Sequence, residues 1–462
     1  MLHRQQTIKK EVSLSGKGLH TGEEVILTFK PGEANSGIKF CRSDLEGQPI
    51  IDADVNNVVD TSRGTTLEQN NAKISTCEHV LAALVGLEID NIIIDLNNVE
   101  VPIMDGSAID FISALQKAEI VEQNFLREYY DIDKPIIYKE EGRNVELTIT
   151  PSDEYRIAVM TDYNSSVINT QHASMNHISE FVENFSNCRT FCFLHEIESL
   201  YKAGLVRGGD LDNAIVFVED KISPEKLEEL KKIFNKPDIK VDSKGYLNNS
   251  ELRCKDEPTR HKLLDVIGDL ALIGKPIRGN VFAARPGHKA NIELAKLIKK
   301  EMMKKKKSAP KIDLTKPPLF NSVDIYKALP HQAPFRLVDK IVHLDDKSVI
   351  GVKNVTINEP QFTGHFPENP VFPGVLLLET IAQVGGVFAL STVPDPDNYW
   401  TYFMGIEKAK FRKMVVPGDT IIIKCDLLRP IRRGLVNMLG TAYVGDTVVC
   451  EAEILASITK KQ

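Results

Sequence analysis

Apolar residues recur at helical spacing in the stretch around which most of the candidate chemistry is arranged. No proline interrupts positions 260–269, where the spacing is set by Leu263, Leu264 and Ile267. Residues four apart lie on one face of a helix, so His261 and Asp265 point the same way and Asp269 follows one turn later. An imidazole and a carboxylate on one rigid element are suitable zinc ligands. The pattern by itself also describes an ordinary amphipathic helix with a solvated polar stripe.

Helical and strand-like patterns alternate through residues 1–303. The helices are predicted at 75–84, where Gly86 can end the element, and at 108–118, at 194–203 and after Ser223-Pro224. Short apolar runs predict the strands, at 24–30, 91–96, 144–150, 156–161, 214–218 and 280–284. The order of elements is similar in the two halves, which predicts two mixed α and β domains, residues 1–125 and 126–303.

The pattern changes after a basic, proline-containing stretch at residues 304–318. A helix end followed by a linker accounts for this stretch better than a phosphate or lipid site does. A helix starting at Pro373 is apolar nearly all round, which is typical of a buried helix. Strands are predicted around it, at 336–343, 348–355, 420–427, 435–444 and 447–458. Residues 319–462 therefore read as an antiparallel sheet wrapped around a buried helix.

Composition excludes several classes of function. The chain of 462 residues has a formal net charge of -7, which argues against nucleic-acid binding. No apolar run reaches the roughly 18 residues of a transmembrane helix, so no membrane span is expected. Met1 to Gln6 lack the apolar core of a signal peptide. The seven cysteines are scattered without a C-x-x-C pair, which indicates reduced thiols in a cytoplasm.

A third metal ligand is available from Glu78-His79. Neighbouring residues on a helix point about 100° apart, so His79 suits the ligand role and Glu78 that of a base beside it. Glu78 also follows Ser75 by three residues, which is the spacing of a capping box. Both interpretations of Glu78 stay open on the pattern, and His79 alone is more often a hydrogen-bonded core histidine.

Two further stretches converge on the same chemistry. His288 follows the strand predicted at 280–284 and could be a general acid whose ring is held by Asp269. Thr190 lies in Asn187-Cys188-Arg189-Thr190-Phe191 and carries a hydroxyl that could steady an oxyanion. A lone threonine is a weak signal.

Together these residues resemble a known family. The motifs S-T-x-E-H, H-K-x-x-D-x-x-G-D, R-T-F, G-G-x-x-D-x-A-I-V, P-I-M-D-G-S-A and G-H-x-x-N are similar to those of the zinc-dependent UDP-3-O-acyl-N-acetylglucosamine deacetylase, over residues 1–303. One departure is the segment 219–254, which looks longer than the family's usual connection.

The resemblance implies a fold and a set of roles. The fold would be two similar α/β sandwich domains, and Zn²⁺ would be held by His79, His261 and Asp265. Glu78 would be the general base and His288 the general acid, oriented by Asp269. Thr190 and Lys262 would contact substrate or oxyanion. The residues expected to border the substrate are Phe191, His20, Gly208 and Gly209.

A second candidate site lies in the last domain. His365 precedes the turn at Phe372-Pro373-Gly374, and Glu379 sits in the apolar helix, where an unpaired carboxylate is costly. The amide of Gly374 is at a helix start, which favours negative charge. If the helix face were partly exposed, Glu379 would need no partner.

These residues resemble the 3-hydroxyacyl-acyl carrier protein dehydratase, which has a hot-dog fold. The motifs are L-P-H-x-x-P-F-x-L-V-D, G-H-F-P-x-x-P-x-F-P-G-V-L-x-L-E, A-x-F-x-x-x-V-x-P-G-D and R-R-G, from Ser322 onward. The resemblance implies that His365 takes the C2 proton, Glu379 helps to expel the hydroxyl and Gly374 polarises the thioester carbonyl. It also implies a dimer or larger homo-oligomer whose sites combine residues of two subunits.

We therefore expect a bifunctional enzyme of lipid A and fatty acid biosynthesis in the cytoplasm of a gram-negative bacterium. Its expected partners are an acylated UDP-sugar, an acyl carrier protein and further copies of the chain. The alternative is one active half fused to an inactive dimerisation or acyl-binding module. The intact residue sets of both halves argue against that alternative.

Overall fold

A computed structural model describes residues 3–197, 207–219, 222–233, 237–241, 245–247 and 251–461. The chain divides into two compact units, Met1–Met302 and Met303–Gln462. The first unit takes in both of the predicted α/β domains. We describe each unit separately.

Strands and two helices alternate in the first half of the first unit. The strands are β1 (Arg4–Ile8), β2 (Val12–Lys17), β3 (Glu24–Pro31), β4 (Ile38–Arg42), β5 (Ile50–Asp52), β6 (Val58–Asp60), β7 (Thr66–Gln69), β8 (Ala72–Ile74), β9 (Ile92–Leu96) and β10 (Ile120–Leu126). The helices are α1 (Glu78–Gly86) and α2 (Ile109–Lys117). Buried and exposed positions alternate along β3, so one face of its sheet is buried.

The second half of this unit has the same kinds of element. Its strands are β11 (Tyr130–Asp131), β12 (Ile136–Glu140), β13 (Val145–Thr150), β14 (Tyr155–Thr161), β15 (Gln171–Met175), β16 (Phe191–Phe193), β17 (Ile215–Phe217), β18 (Tyr246–Leu247) and β19 (Ile277–Ala284). Its helices are α3 (Phe181–Asn184), α4 (Pro224–Ile233), α5 (Glu257–Ala271) and α6 (His288–Lys307). The helix predicted at 194–203 begins at 194, and its residues beyond 197 lie outside the described part of the chain.

The two halves share one sheet topology, which confirms their predicted similarity. One sheet has the order β2-β3-β9-β4-β5 and the other the order β12-β13-β19-β14-β15. The central strand is β9 in the first sheet and β19 in the second. Each central strand is antiparallel to the strand before it in the order and parallel to the strand after it. One helix of each half, α1 or α5, directly precedes this central strand in the chain, so the two helices occupy equivalent positions.

The paired helices α1 and α5 position the chemistry of the first unit, because their backbones approach very closely. A Cβ added at Gly268 of α5 would lie 2.0 Å from the carbonyl oxygen of Glu78 on α1. Side chains from both halves form a single buried apolar cluster around these helices. A separate small sheet, β16-β17-β18, has an apolar cluster of its own.

The second unit is an antiparallel sheet around one buried helix, as predicted. Its strands are β20 (Lys340–Leu344), β21 (Ser348–Asn354), β22 (Tyr399–Phe411), β23 (Thr420–Leu427), β24 (Leu435–Val444) and β25 (Thr447–Lys460), in the order β20-β21-β23-β24-β25-β22. The helices are α7 (Ser322–Ala328) and α8 (Gly374–Ser391). By length and composition α8 could cross a bilayer, yet 61% of it is buried within the unit, where it packs as a core helix.

Three sequence expectations need correction. The strand predicted at 336–343 starts only at Lys340. The helix α6 runs to Lys307, so the first residues assigned to the linker at 304–318 are helical. The long strand β22 was not predicted, because the apolar residues of its first half, Trp400 and Phe403 among them, do not alternate regularly with polar ones.

Candidate active sites

Three buried side chains from α1 and α5 form a cluster of metal-ligand geometry in the first unit. The donor atoms of His79, His261 and Asp265 all lie within 4.8 Å of one another. The carboxylate oxygen Oδ1 of Asp265 is 3.4 Å from Nε2 of His261 and 3.7 Å from Nε2 of His79. The structure thus brings together the three residues that the sequence predicts as ligands.

The residues present fit a divalent metal ion. Oδ1 of Asp265 is buried and has no hydrogen-bond partner among the described residues, which is costly unless a cation faces it. Nδ1 of His261 donates to the carbonyl oxygen of Cys188 at 3.0 Å, which leaves Nε2 free to face the cluster. Two imidazole nitrogens and one carboxylate oxygen form a common donor set for zinc.

Electrostatics keeps the donors in their ligating forms. Burial, reinforced by the neighbouring His261, lowers the pKa of His79 to about 3, so its imidazole is neutral. Burial also lowers the pKa of His261. For Asp265 burial acts to raise the pKa, but the charge of Lys262 and the adjacent histidines together lower it, so the carboxylate is ionised.

Glu78 is the first residue of α1, and its side chain does not cap the helix. The N-cap is Cys77, which makes no side-chain capping bond, and the Ser75 hydroxyl donates to the carbonyl oxygen of Val99. Oε2 of Glu78 accepts instead from the backbone N–H of Thr65 at 2.9 Å. The capping-box interpretation is therefore wrong. Burial raises the pKa of Glu78 to about 7.

His288 lies opposite Glu78 and is held by a buried carboxylate. Its Nδ1 donates to Oδ2 of Asp269 at 2.9 Å, while its Nε2 is 3.9 Å from Oε1 of Glu78. Burial acts against protonation, but the charges of Asp269 and Glu78 outweigh it and raise the pKa of His288 to about 10. Asp269 also accepts from the Thr65 hydroxyl at 2.6 Å and from Nδ2 of Asn291 at 2.8 Å, so its position is fixed.

The predicted substrate-contacting residues fall into two groups. Nζ of Lys262 is 2.8 Å from Oδ2 of Asp265 and 5.6 Å from the ring centre of Phe191. Thr190 is half-buried beside Phe191, with its backbone N–H donating to the carbonyl oxygen of Gly106. Lys262 therefore adjoins Asp265, and Phe191 lies beside Lys262.

The second group is a turn fixed by a buried carboxylate. Glu100 accepts from the backbone N–H groups of His20 and Thr21, and the Nδ1 atom of His20 is buried without a partner among the described residues. Gly208 packs directly on this turn, since a Cβ added there would lie 2.1 Å from the carbonyl oxygen of Gly18. Gly209 follows it along the same segment.

In the second unit the predicted site residues have different hydrogen-bond partners. Nδ1 of His365 donates to the carbonyl oxygen of Val371 at 2.8 Å. Oε1 of Glu379 accepts from Nε2 of Gln383 at 2.8 Å and lies 3.5 Å from Nε2 of His331. Among residues 251–461 no hydrogen bond or ion pair joins His365 to Glu379.

Glu379 itself is half-buried, so its helix face is more exposed than its apolar sequence suggests. Gly374 begins α8 and packs against an aromatic ring, since an added Cβ would lie 2.9 Å from the ring of Phe411.

Several supporting residues were not found by sequence reasoning. Asn291 and His331 do occur inside the motifs G-H-x-x-N and L-P-H-x-x-P-F, so a signal for them was present. Thr65 and the Cys188 carbonyl lie far from their partners in the chain and belong to no pattern that local spacing can reveal.

Comparisons with known proteins agree with this division. The family model described as UDP-3-O-acyl N-acetylglycosamine deacetylase, LpxC, matches residues 5–232 and 235–300. The model described as the FabA-like domain matches residues 329–453. The two matches fall in different units.

Relatives of full length carry both parts. A protein of Bacteroides thetaiotaomicron called bifunctional enzyme LpxC/FabZ is 46% identical over 99% of this chain and 100% of its own length. One of the same name from Porphyromonas gingivalis is 44% identical over 100% of both chains. A UDP-3-O-acyl-N-acetylglucosamine deacetylase of Geotalea uraniireducens is 39% identical over 62% of this chain and 85% of its own. The chain therefore belongs to the family of bifunctional LpxC/FabZ enzymes.

Proposed function

We propose that the first unit removes the acetyl group from a UDP-3-O-(3-hydroxyacyl)-N-acetylglucosamine, with Zn²⁺ bound by His79, His261 and Asp265. The observation that carries this proposal is the buried donor cluster flanked by Glu78 and His288, in which Oδ1 of Asp265 has no hydrogen-bond partner in the described part of the chain. The reaction is a hydrolysis, and it supplies a free amine for lipid A biosynthesis.

The residues around the cluster divide the proton transfers between them. Zinc, when bound, supplies Lewis-acid chemistry to an amide carbonyl and to water. Glu78 takes the proton of the attacking water, and its raised pKa makes it a stronger base than an exposed carboxylate. His288 gives a proton to the leaving amine while Asp269 holds its ring.

Substrate recognition follows from the surrounding surfaces. Lys262 brings positive charge next to Asp265. With Thr190 it would stabilise the negative charge that develops on the carbonyl oxygen when water attacks the amide. Phe191 offers the substrate an aromatic surface. The turn that contains His20, with Gly208 and Gly209 beside it, offers the substrate a closely packed backbone. We assign these residues to the boundary of the sugar and acyl chain.

The experiment for this half measures deacetylation of the acylated UDP-sugar by the purified full-length protein, together with its metal content. We expect turnover and about one equivalent of zinc per chain. A protein that retains zinc but leaves this substrate intact while cleaving another amide would point to a different zinc amidohydrolase.

For the second unit we propose dehydration of a 3-hydroxyacyl-acyl carrier protein to the trans-2-enoyl product, a step of fatty acid biosynthesis. His365 removes the proton at C2, and Glu379 protonates the departing C3 hydroxyl, which leaves as water. The amide of Gly374, at the start of α8, polarises the thioester carbonyl. Since the family models match both units and both residue sets are present, an inactive second half is not favoured.

We further propose that this site is completed by a second copy of the chain. No hydrogen bond or ion pair joins His365 to Glu379 among residues 251–461, and a two-fold axis could bring each to its counterpart. Among the described strands the edge strand β22 pairs with β25 alone, and it exposes large apolar side chains, which suits an interface. These side chains are Trp400, Tyr402, Phe403, Met404 and Ile406.

The two units are proposed to work as separate enzymes joined by residues 308–318, which follow the end of α6 at Lys307, and to act in the bacterial cytoplasm. An exposed connection of this kind is a preferred protease target. We expect limited proteolysis to cut there first and each fragment to keep its own activity. An unfolded first fragment would mean that the units share a core.

A further inference from the structure

Two thiols from distant parts of the sequence meet beside the metal-ligand cluster. The Sγ atoms of Cys188 and Cys254 are 3.9 Å apart, although 66 positions separate the residues in the chain. Cys188 is fully buried, whereas Cys254 is half-buried and reaches the surface. A disulfide requires an S–S bond of about 2.05 Å, so the sulfurs would have to close by nearly half their separation.

Polar contacts on both sides already hold the two backbone segments together. Arg189, next to Cys188, binds Glu257 through its backbone N–H at 3.0 Å and its Nε at 2.9 Å. Arg253, next to Cys254, donates to the carbonyl oxygen of Asn187 at 2.6 Å. The pair therefore lies inside a fixed frame, and side-chain rotation with a small backbone shift can join the sulfurs.

The position of Cys188 bears directly on the metal ligands. Its carbonyl oxygen accepts the Nδ1–H bond that orients His261, and Thr190 follows two residues later. A bond to Cys254 would draw this segment toward the start of α5. Catalytic geometry tolerates shifts of only about 0.5 Å, so the change would misplace His261 and Thr190.

We propose that Cys188 and Cys254 form an oxidation site, at which a peroxide converts the two thiols to a disulfide that reversibly slows the first unit's reaction. The more accessible Cys254 sulfur attacks the peroxide, an S–O bond forms as the O–O bond breaks, and hydrogen peroxide yields one water. The Cys188 sulfur then attacks the resulting sulfenic acid, and the S–S bond forms as the S–O bond breaks with loss of a second water.

Cys254 is the last residue of the segment 219–254, whose length is expected to depart from the family's usual connection. As the half-buried thiol it is the more accessible member of the pair. The predicted effect on turnover rests on the function proposed for the first unit. The formation of the disulfide does not depend on that function.

The test treats the full-length protein with hydrogen peroxide, alkylates the remaining thiols and maps the peptides by mass spectrometry. Both enzyme activities are measured before and after, and again after reduction with a phosphine. We expect a linked peptide containing Cys188 and Cys254, a several-fold loss of deacetylation that reduction restores, and unchanged dehydration.

Two variants make the result specific. Cys254→Ser should lose the linked peptide and keep its deacetylase activity in peroxide. Cys192→Ser is the matched control, because Cys192 is also half-buried in the neighbouring strand β16, and it should behave like the unmodified chain.

Three outcomes would overturn the proposal. In the first, peroxide oxidises Cys254 to sulfinic acid and no linked peptide forms. In the second, the linked peptide forms but deacetylation keeps its full rate. In the third, peroxide inhibits Cys254→Ser as strongly as it inhibits the unmodified chain. If the reduced protein deacetylates nothing, the proposed function fails, and the peptide map still decides whether the oxidation site exists.

Discussion

At the scale of single residues, the role of Glu78 is the point on which the catalytic account depends most. The sequence left two roles open, a cap and a base, because the spacing from Ser75 suits a capping box. The structure removes the cap, since Oε2 of Glu78 binds the N–H of Thr65 and its carboxylate faces His288.

Glu78→Gln tests the base directly. The amide oxygen can still accept from Thr65, so the variant should fold and retain its metal, but it cannot take a proton. We expect the turnover of deacetylation to fall by about a hundredfold or more. Metal content and the unfolding midpoint serve as controls. Near-normal turnover with a full complement of metal would exclude Glu78 as the base.

Two members of the proposed ligand set, His261 and Asp265, lie four apart on one helix, so their spacing predicts that they share a face. The resemblance to the deacetylase family, and not the spacing, identified them and His79 as ligands. The residues that hold these side chains in position could not be predicted from local spacing. Thr65 is 204 positions from Asp269, and Cys188 is 73 positions from His261, so only the packed fold brings them into contact.

At the scale of elements, the close approach of α1 and α5 brings His79 of one helix next to His261 and Asp265 of the other. Gly268 makes this possible because it has no side chain where the α1 backbone passes. Sequence patterns located both helices, but no periodic signal showed that they touch. The strand β22 was missed for a different reason, since an edge strand with both faces apolar lacks the alternation that marks a half-buried strand.

Gly268→Ala should weaken the first unit. Its Cβ would lie 2.0 Å from a backbone oxygen, so the helices must separate, and overpacking of this kind costs about 1–3 kcal/mol. The measurement is the urea unfolding midpoint. Gly385→Ala is the matched control inside helix α8, because the nearest atom to its Cβ is the flexible Met438 sulfur at 3.4 Å. Equal stability of Gly268→Ala and the unmodified chain would mean that the helix contact is loose.

At the scale of the whole molecule, the second site depends on assembly. His365→Ala and Glu379→Gln should each be inactive in dehydration when pure. After unfolding and refolding together, random pairing makes half the dimers mixed, and each mixed dimer has one intact site. We therefore expect activity to return to roughly a quarter of that of the unmodified chain. If mixing restores nothing, the two residues act within one chain.

The central claim is that one chain carries two chemistries and that only the first unit needs a metal. In the described residues the one cluster of metal-ligand geometry is that of His79, His261 and Asp265. The most direct test treats the full-length protein with a chelator and measures both activities and the bound zinc in the same sample. The account predicts that deacetylation is abolished as zinc is removed, that added zinc restores it, and that dehydration is unchanged throughout. Equal loss of both activities, or deacetylation that persists without zinc, would contradict it.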